Sequence, residues 1–358
     1  MNSMSDKPPS TAPQRTLTQA AAWLASPAVV LLGALALAAP ANAEVNVYSA
    51  RKEHLIKPLL DRFTASSGVQ VNLVTADAGP LLERLRSEGR NSPADVFITV
   101  DAGRLHAAKE AGVLQPVSSP ALAAAVPAAY REPEGYWFGL SLRARPIMYV
   151  KGKVDPGELS SYEDLADPRW KGRICIRGSG NIYNQSLVAS ILEANGRADT
   201  LAWLKGFVSN FARKPSGGDR DQIKAAAAGE CDIAIANTYY LAQMIQSDDA
   251  AQREAASKVA VFWPNQQGRG AHVNVSGAGV TAASKNKEDA VRLLEFLVTD
   301  EAQEWYADVN NEYPVRRGIK LSEAVAGFGE FKADDLNLGL LGVNNRAAVQ
   351  LMDQAGWK

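Results

Sequence analysis

The chain has 358 residues, 46% of them hydrophobic, with 38 basic against 39 acidic side chains, two cysteines and three histidines. Near-neutral charge argues against a nucleic-acid binder, which would carry a basic surplus or stripe. The apolar share is ample for two hydrophobic cores, so the fold does not depend on disulfides.

Residues 1–18 are polar and carry Lys7 and Arg15, and an apolar stretch follows from about Ala20 to Ala39, interrupted by Pro27 and ended by Pro40. Ala41-Asn42-Ala43 then offers small residues at the two positions a signal peptidase inspects, so 1–43 reads as a cleavable secretory signal peptide. A permanent anchor is the alternative, since roughly 20 apolar residues span a bilayer. The alanine-rich composition, the proline and the A-N-A site favour cleavage and a mature start at Glu44. Removal of Lys7, Arg15 and Asp6 leaves 36 basic and 38 acidic groups on 315 residues, a length that suggests two domains.

Alternation in Glu44–Ser49 predicts a first strand, and the spacing of Leu55, Ile56, Leu59, Leu60 and Phe63 predicts a helix ended by Gly68. Val69–Val74 is a second strand, Leu81–Glu88 a helix with Pro80 in its first turn, and Ala94–Thr99 a third strand. This β-α-β-α-β rhythm predicts an α/β lobe with a mainly parallel sheet flanked by helices. A second α/β block begins near Leu142–Arg145, with strands at Arg173–Ile176 and Asp232–Ala236 and helices at about 184–195 and 198–211. Gly217-Gly218-Asp219-Arg220-Asp221 opens a further helix, its acidic residues forming a helix-start charge network. Two more helices are expected at about 286–299 and 300–309. The expected division is 44–142 plus about 270–315 for the first lobe, and about 143–269 plus 316–358 for the second. Two exported α/β lobes without a catalytic triad fit a type II-like periplasmic solute-binding protein, with its ligand in the cleft between them.

Two cysteines in an exported chain favour one bridge, Cys175–Cys231, over a pair of buried thiols. Tyr183 stands eight residues after Cys175, and Tyr239 eight residues after Cys231, with Tyr240 adjacent. If the cysteines bond, the equal offsets bring three phenols out near one edge of a sheet. As phenolates they are hard oxygen donors for a highly charged cation, which is the case for a ferric-iron site. Asn237-Thr238 can cap a helix and place both adjacent rings in its first turn.

The ordered segments VNVYSAR at 45–51, GRNSPADVFITVD at 89–101, WFGLSLRARPIMY at 137–149 and YEDLADPRWKGRICIR at 162–177 carry a resemblance that runs on through KPSGGDRDQ at 214–222, GECDIAIANTYY at 229–240, NVSGAGV at 274–280 and EYPVR at 312–316. Over nearly all of the mature length the chain resembles periplasmic ferric-iron-binding proteins of ABC importers. The resemblance implies that Tyr239 and Tyr240 ligate Fe³⁺, joined by Tyr183 of the Y-N-Q-S-L segment as in a three-tyrosine subgroup. Another subgroup takes a histidine and a glutamate from the first lobe, but those positions are Lys52 and Val100 here. The family often completes the iron site with carbonate or another small anion. Arg51 and Arg143 are the candidates to hold it, because a guanidinium pairs bidentately with planar oxyanions. Lys52, His54 and Arg145 are candidates to support the ligands from behind or beside. For His54 an exposed helix position is the plainer reading. His106 looks structural, and His272 lies in the glycine-rich return between lobes.

The resemblance further implies a monomeric receptor, not an enzyme, that is not inserted in the membrane after signal cleavage. Its partners would be an inner-membrane ABC permease and its ATPase. An alternative from the residues is a phosphate-like oxyanion receptor built on Arg51, Arg143, Ser179 and the segment 178–180. A secreted hydrolase is disfavoured, since no G-x-S-x-G, H-E-x-x-H or cysteine–histidine pairing is present.

Overall fold

The computed structural model describes residues 43–358. The signal-peptide reading of 1–43 falls, apart from Ala43, outside the described residues. No helix among the described residues is long and apolar enough to cross a membrane.

Among the described residues ten strands form two sheets. β1 (Glu44–Ser49), β2 (Gln70–Thr75), β3 (Val96–Val100), β4 (Phe138–Ala144), β9 (Val273–Val280) and β10 (Tyr313–Pro314) make the first, in the order β10-β4-β9-β3-β1-β2. β5 (Ile147–Val150), β6 (Ile174–Cys175), β7 (Ile233–Ile235) and β8 (Val259–Phe262) make the second, in the order β6-β7-β5-β8. Helices flank both, giving the two-lobed α/β architecture expected from the sequence.

The sheets are mixed in pairing. β1 runs parallel to β2 and β3, whereas β9 lies antiparallel between β3 and β4, and β10 is antiparallel to β4. β1 to β4 therefore share one direction, and β9 and β10 oppose it. In the second sheet β6, β7 and β8 share a direction and β5 opposes it. The reversed strands β5 and β9 each adjoin a crossing of the chain from one sheet to the other. The β-α-β rhythm of residues 44–100 gives no sign of a strand returning from far along the chain. β4 also continues to Ala144 in the first sheet, so Arg143 stands there and the second sheet starts only at Ile147.

Every residue of β4 and β9 is buried, as central strands covered on both faces require. Gly277 of β9 permits this packing: a Cβ there would sit 2.6 Å from Leu105 Cδ1 and 2.7 Å from the Phe138 carbonyl oxygen. The two expected helices at 184–195 and 198–211 are both present within Ile182–Ser209, separated by a kink at Gly196, whose φ of 74° and ψ of 173° are not helical. The C-terminal helices Gly339–Val343 and Asn345–Gln354 pack against this helix pair, and the first of them also against the helix Ala102–Glu110.

Cys175 and Cys231 are disulfide-bonded, with Cα atoms 5.9 Å apart and a sequence separation of 56. β6 and β7 are parallel neighbours, Ile174 opposite Ile233 and Cys175 opposite Ala234. Their carboxyl ends therefore emerge side by side, each leading into a helix whose first turn carries tyrosine.

Where the chain crosses between sheets, the Arg145 N–H donates to the His272 carbonyl at 3.1 Å. The Tyr162 hydroxyl donates to the Arg145 carbonyl at 2.8 Å and accepts from the His272 N–H at 3.1 Å. One phenol thus ties the two crossing segments together.

Candidate metal centre

Three phenols meet in one cleft. Tyr183 lies in the first turn of Ile182–Ser209, where the side chain of Asn181 caps its N–H at 3.2 Å. Tyr239 and Tyr240 lie in the first turn of the helix Thr238–Ile245, with ring centroids 4.2 Å apart. All three line a cleft of about 540 Å³ together with Arg51, Lys52, His54, Val100, Arg143, Arg220 and Glu312.

Asn237 occupies the N-cap position of the tyrosine pair, but its side chain does not cap the helix. Its carboxamide oxygen accepts from Arg145 Nη1 at 2.9 Å, and its N–H donates to Asp219 Oδ2 at 2.8 Å. Arg145 Nη1 also pairs with Asp219 at 2.9 Å, and Nη2 reaches Asn184 Oδ1, beside Tyr183, at 2.7 Å. A buried guanidinium therefore grips both tyrosine-bearing helix starts. Its Nη donors are taken by Asp219, Asn237, Asn184 and the Ile235 carbonyl, which leaves Arg145 behind the tyrosines rather than free to hold an anion. Asp219 is the buried hub expected of a helix-start network and also receives Arg177 at 3.3 Å.

Arg51 and Arg143 converge from the first sheet, both donating to Ser276 Oγ. Arg143 stands nearer the phenols, its guanidinium carbon 5.8 Å from the Tyr183 and Tyr239 rings. Burial opposes its charge, but Glu312 and these phenols outweigh the penalty and raise its pKa. Glu312 was not singled out by sequence reasoning, although it opens the EYPVR segment. It pairs with Arg51 at 3.1 Å, accepts from Ser141 Oγ at 2.5 Å and lies 3.8 Å from Arg143. No local pattern marks it, because its partners come from the segment just after β1 and from β4. Arg220 was likewise given no place in the site; its guanidinium carbon lies 5.0 Å from the Tyr240 ring, and the group bonds Gln243.

Lys52 and His54 line the cleft as exposed side chains. His106 is half-buried in the helix Ala102–Glu110, and His272 is buried at the crossing between sheets. The Ser179 N–H points to the Lys358 carbonyl at 3.4 Å, and Ser179 does not line the cleft. Segment 178–180 is thus turned toward the C-terminus, away from the place an oxyanion site would need it.

Burial, then the neighbouring Tyr183 and Tyr240, push the Tyr239 phenol well above its ordinary value of 10, against Arg143. Burial and Tyr183 likewise push Tyr240 up to about 12. Both are neutral phenols at pH 7, and a trivalent cation is the sort of ligand able to displace their protons. Among the described residues no group of three or more His, Cys, Asp or Glu side chains is placed to hold a metal. The phenols are the convergent hard donors in the cleft.

A family model described as bacterial extracellular solute-binding protein matches residues 91–327. The chain is 54% identical over 315 residues to iron uptake protein A1 of Synechocystis, covering 88% of each chain. It is 32% identical over 337 residues to the Fe(3+)-binding periplasmic protein of Serratia marcescens, covering 94% of this chain and 96% of that one. A solved structure of Trichodesmium IdiA (FutA) in complex with iron and citrate ligands superposes with a TM-score of 0.87 at 52% identity, covering 88% of this chain and all of that one. The chain belongs to the bacterial extracellular solute-binding protein family, and within it is similar to iron-uptake and ferric-iron-binding proteins.

Proposed function

We propose that this protein is a periplasmic receptor for ferric iron, with Tyr183, Tyr239 and Tyr240 as phenolate ligands. The observation that carries the reading is the convergence of three phenols from two helix starts on one cleft faced by Arg143. Three phenolates balance the formal charge of Fe³⁺ and match its hardness. Relatives named for iron uptake and ferric binding, at 54% and 32% identity, support the same cargo.

Three protein oxygens leave iron coordination open for an exogenous anion. Arg143, with Arg51 beside it, supplies the positive side of the cleft, and Lys52 adds field at its mouth. Because Glu312 already engages Arg51, Arg143 is the principal anion partner. A carbonate-like anion fits this role. The cleft, at about 540 Å³, also has room for a larger carboxylate such as the citrate named for the Trichodesmium protein.

In this reading the chain is not an enzyme. Residues 1–43 direct export and are removed, and the monomeric receptor delivers iron to an inner-membrane ABC permease driven by its ATPase. The lobes divide as the sheets do: 44–144 with the β9–β10 segment, and the chain around β5 to β8 with the C-terminal helices. Iron bound to the tyrosines, with an anion reaching Arg143, gives contacts to both lobes and so favours the closed form.

The test is a visible absorption titration of apo-protein with chelated Fe³⁺, with and without bicarbonate or citrate, alongside Tyr183→Phe and Tyr239→Phe. A saturable phenolate-to-iron band at one equivalent, weakened or shifted in both variants, is the expected result. No band at neutral pH in the unaltered protein would sink the assignment.

A further inference from the structure

Asp101 stands at the end of β3 and is the N-cap of the helix Ala102–Glu110. Its backbone has φ 83° and ψ 126°, a conformation that non-glycine residues adopt rarely and that surrounding contacts must hold. The fully buried carboxylate has three such contacts. Oδ1 accepts from the Gly103 N–H at 2.9 Å and from Ser186 Oγ at 2.7 Å, and Oδ2 accepts from Asn274 Nδ2 at 2.9 Å. Asn274 is itself fixed, its oxygen accepting the N–H groups of Ala102 and Val275 at 2.8 Å each.

Gly103 and Asn274 belong with the first sheet, but Ser186 does not. It is buried on Ile182–Ser209, three residues beyond Tyr183 and so on the neighbouring turn of the same helix face. From the other side Asn184 ties this helix start to Arg145 at 2.7 Å and to the Arg177 carbonyl at 2.9 Å. The start of the tyrosine helix is therefore gripped by its own lobe through Asn184 and by the opposite lobe through Ser186.

We propose that Asp101, acting through Ser186, is a positioning residue for Tyr183, so that the first lobe sets the geometry of the iron site without supplying a ligand. The inference rests on the tyrosine site proposed above. A hydroxyl bonded to a carboxylate is strong and directional where water is excluded. Without that acceptor, Ser186 is free to bond back to its own helix, a pattern that bends helices. The Tyr183 ring sits 5.7 to 5.9 Å from the guanidinium carbons of Arg143, Arg145 and Arg177, so a small rotation of the helix start alters both the place of its oxygen and the charge around it.

The test titrates full-length mature protein with Fe³⁺ supplied as its nitrilotriacetate chelate, following the phenolate-to-iron band. Ser186→Ala is expected to lower iron affinity on the order of tenfold, as loss of an outer contact to a metal ligand does, and to shift the band. Ser186→Thr, which keeps the hydroxyl, restores most of both, and Asp101→Asn reproduces the Ser186→Ala effect. In a Tyr183→Phe background Ser186→Ala adds no further loss, which separates action through Tyr183 from a general weakening of the fold. Circular dichroism checks each apo-protein, and Ser186→Cys, which keeps the size and weakens the donor, serves if Ser186→Ala does not fold. Unaltered band and affinity in Ser186→Ala, or an equal loss in the Tyr183→Phe background, overturns the inference. Absence of the band from the unaltered protein is instead the failure of the tyrosine site itself.

Discussion

The Arg145 guanidinium takes the side-chain oxygen of Asn237 at 2.9 Å, the very atom that residue would otherwise use to cap the Tyr239–Tyr240 helix. The helix start is held by an ion-paired network instead of a local cap, and the same arginine holds the Tyr183 helix through Asn184. The placement of the three phenols thus depends on a side chain from the crossing between sheets.

Arg145→Met is expected to destabilise the protein by about 3–5 kcal/mol, because it strips the main partner from the buried Asp219. Urea unfolding followed by circular dichroism measures the loss. Iron affinity should fall with it, since both tyrosine helix starts lose an anchor. Unchanged stability would mean that the Arg177 contact alone satisfies Asp219.

Iron affinity should fall as pH falls. The phenols of Tyr239 and Tyr240 lie above their ordinary range, so they are protonated at neutral pH and each must release a proton on ligation. Competition from protons then approaches roughly one decade in affinity per phenol per pH unit. Chelator-competition titrations between pH 6 and 8 give the slope, and Tyr240→Phe should reduce it by about one. A pH-independent affinity would rule out phenolate ligation.

Glu312→Gln removes the counter-charge that Arg51 and Arg143 share. Anions should then be held more tightly in the cleft, so less bicarbonate or citrate gives half-maximal iron colour. Stability should drop by about 3 kcal/mol, as when one partner of a buried pair is lost. A rise in the anion concentration needed would contradict the charge balance described for the site.

His272 links stability to acid. Burial, with Arg269 and Arg145 nearby, pushes its pKa down to about 3. An unfolded histidine titrates near 6.5. Between these values the unfolded chain takes up a proton that the native state refuses. Stability is therefore full above about pH 6.5 and falls as pH drops toward 3, by up to ~1.4 kcal/mol per unit. His272→Gln should flatten this limb when urea midpoints at pH 7 and pH 5 are compared. An equal pH dependence in both proteins would assign the acid loss to other groups.

Strand and helix periodicity made most elements legible, because apolar spacing along β1 to β3 and the helices between them reports local burial directly. Equal spacing from cysteine to tyrosine made the convergence of phenols legible as well, since parallel neighbours with matched offsets deliver their following helices to the same side. The reversed strands β5 and β9, the partner of Asn237, and the roles of Glu312, Arg220 and Asp101 were not legible in this way. Each depends on groups brought together from far apart in the chain: Arg51 meets Glu312 across 261 positions, and Asp101 meets Ser186 across 85. The sequence by itself determined that three phenols stand at matched offsets with no cluster of softer ligands beside them, and it determined the two-lobed α/β plan. Only the tertiary structure decided which arginine faces the phenols, which is neutralised by a carboxylate and which serves as scaffold, because those roles follow from desolvation and charge pairing in the folded cleft.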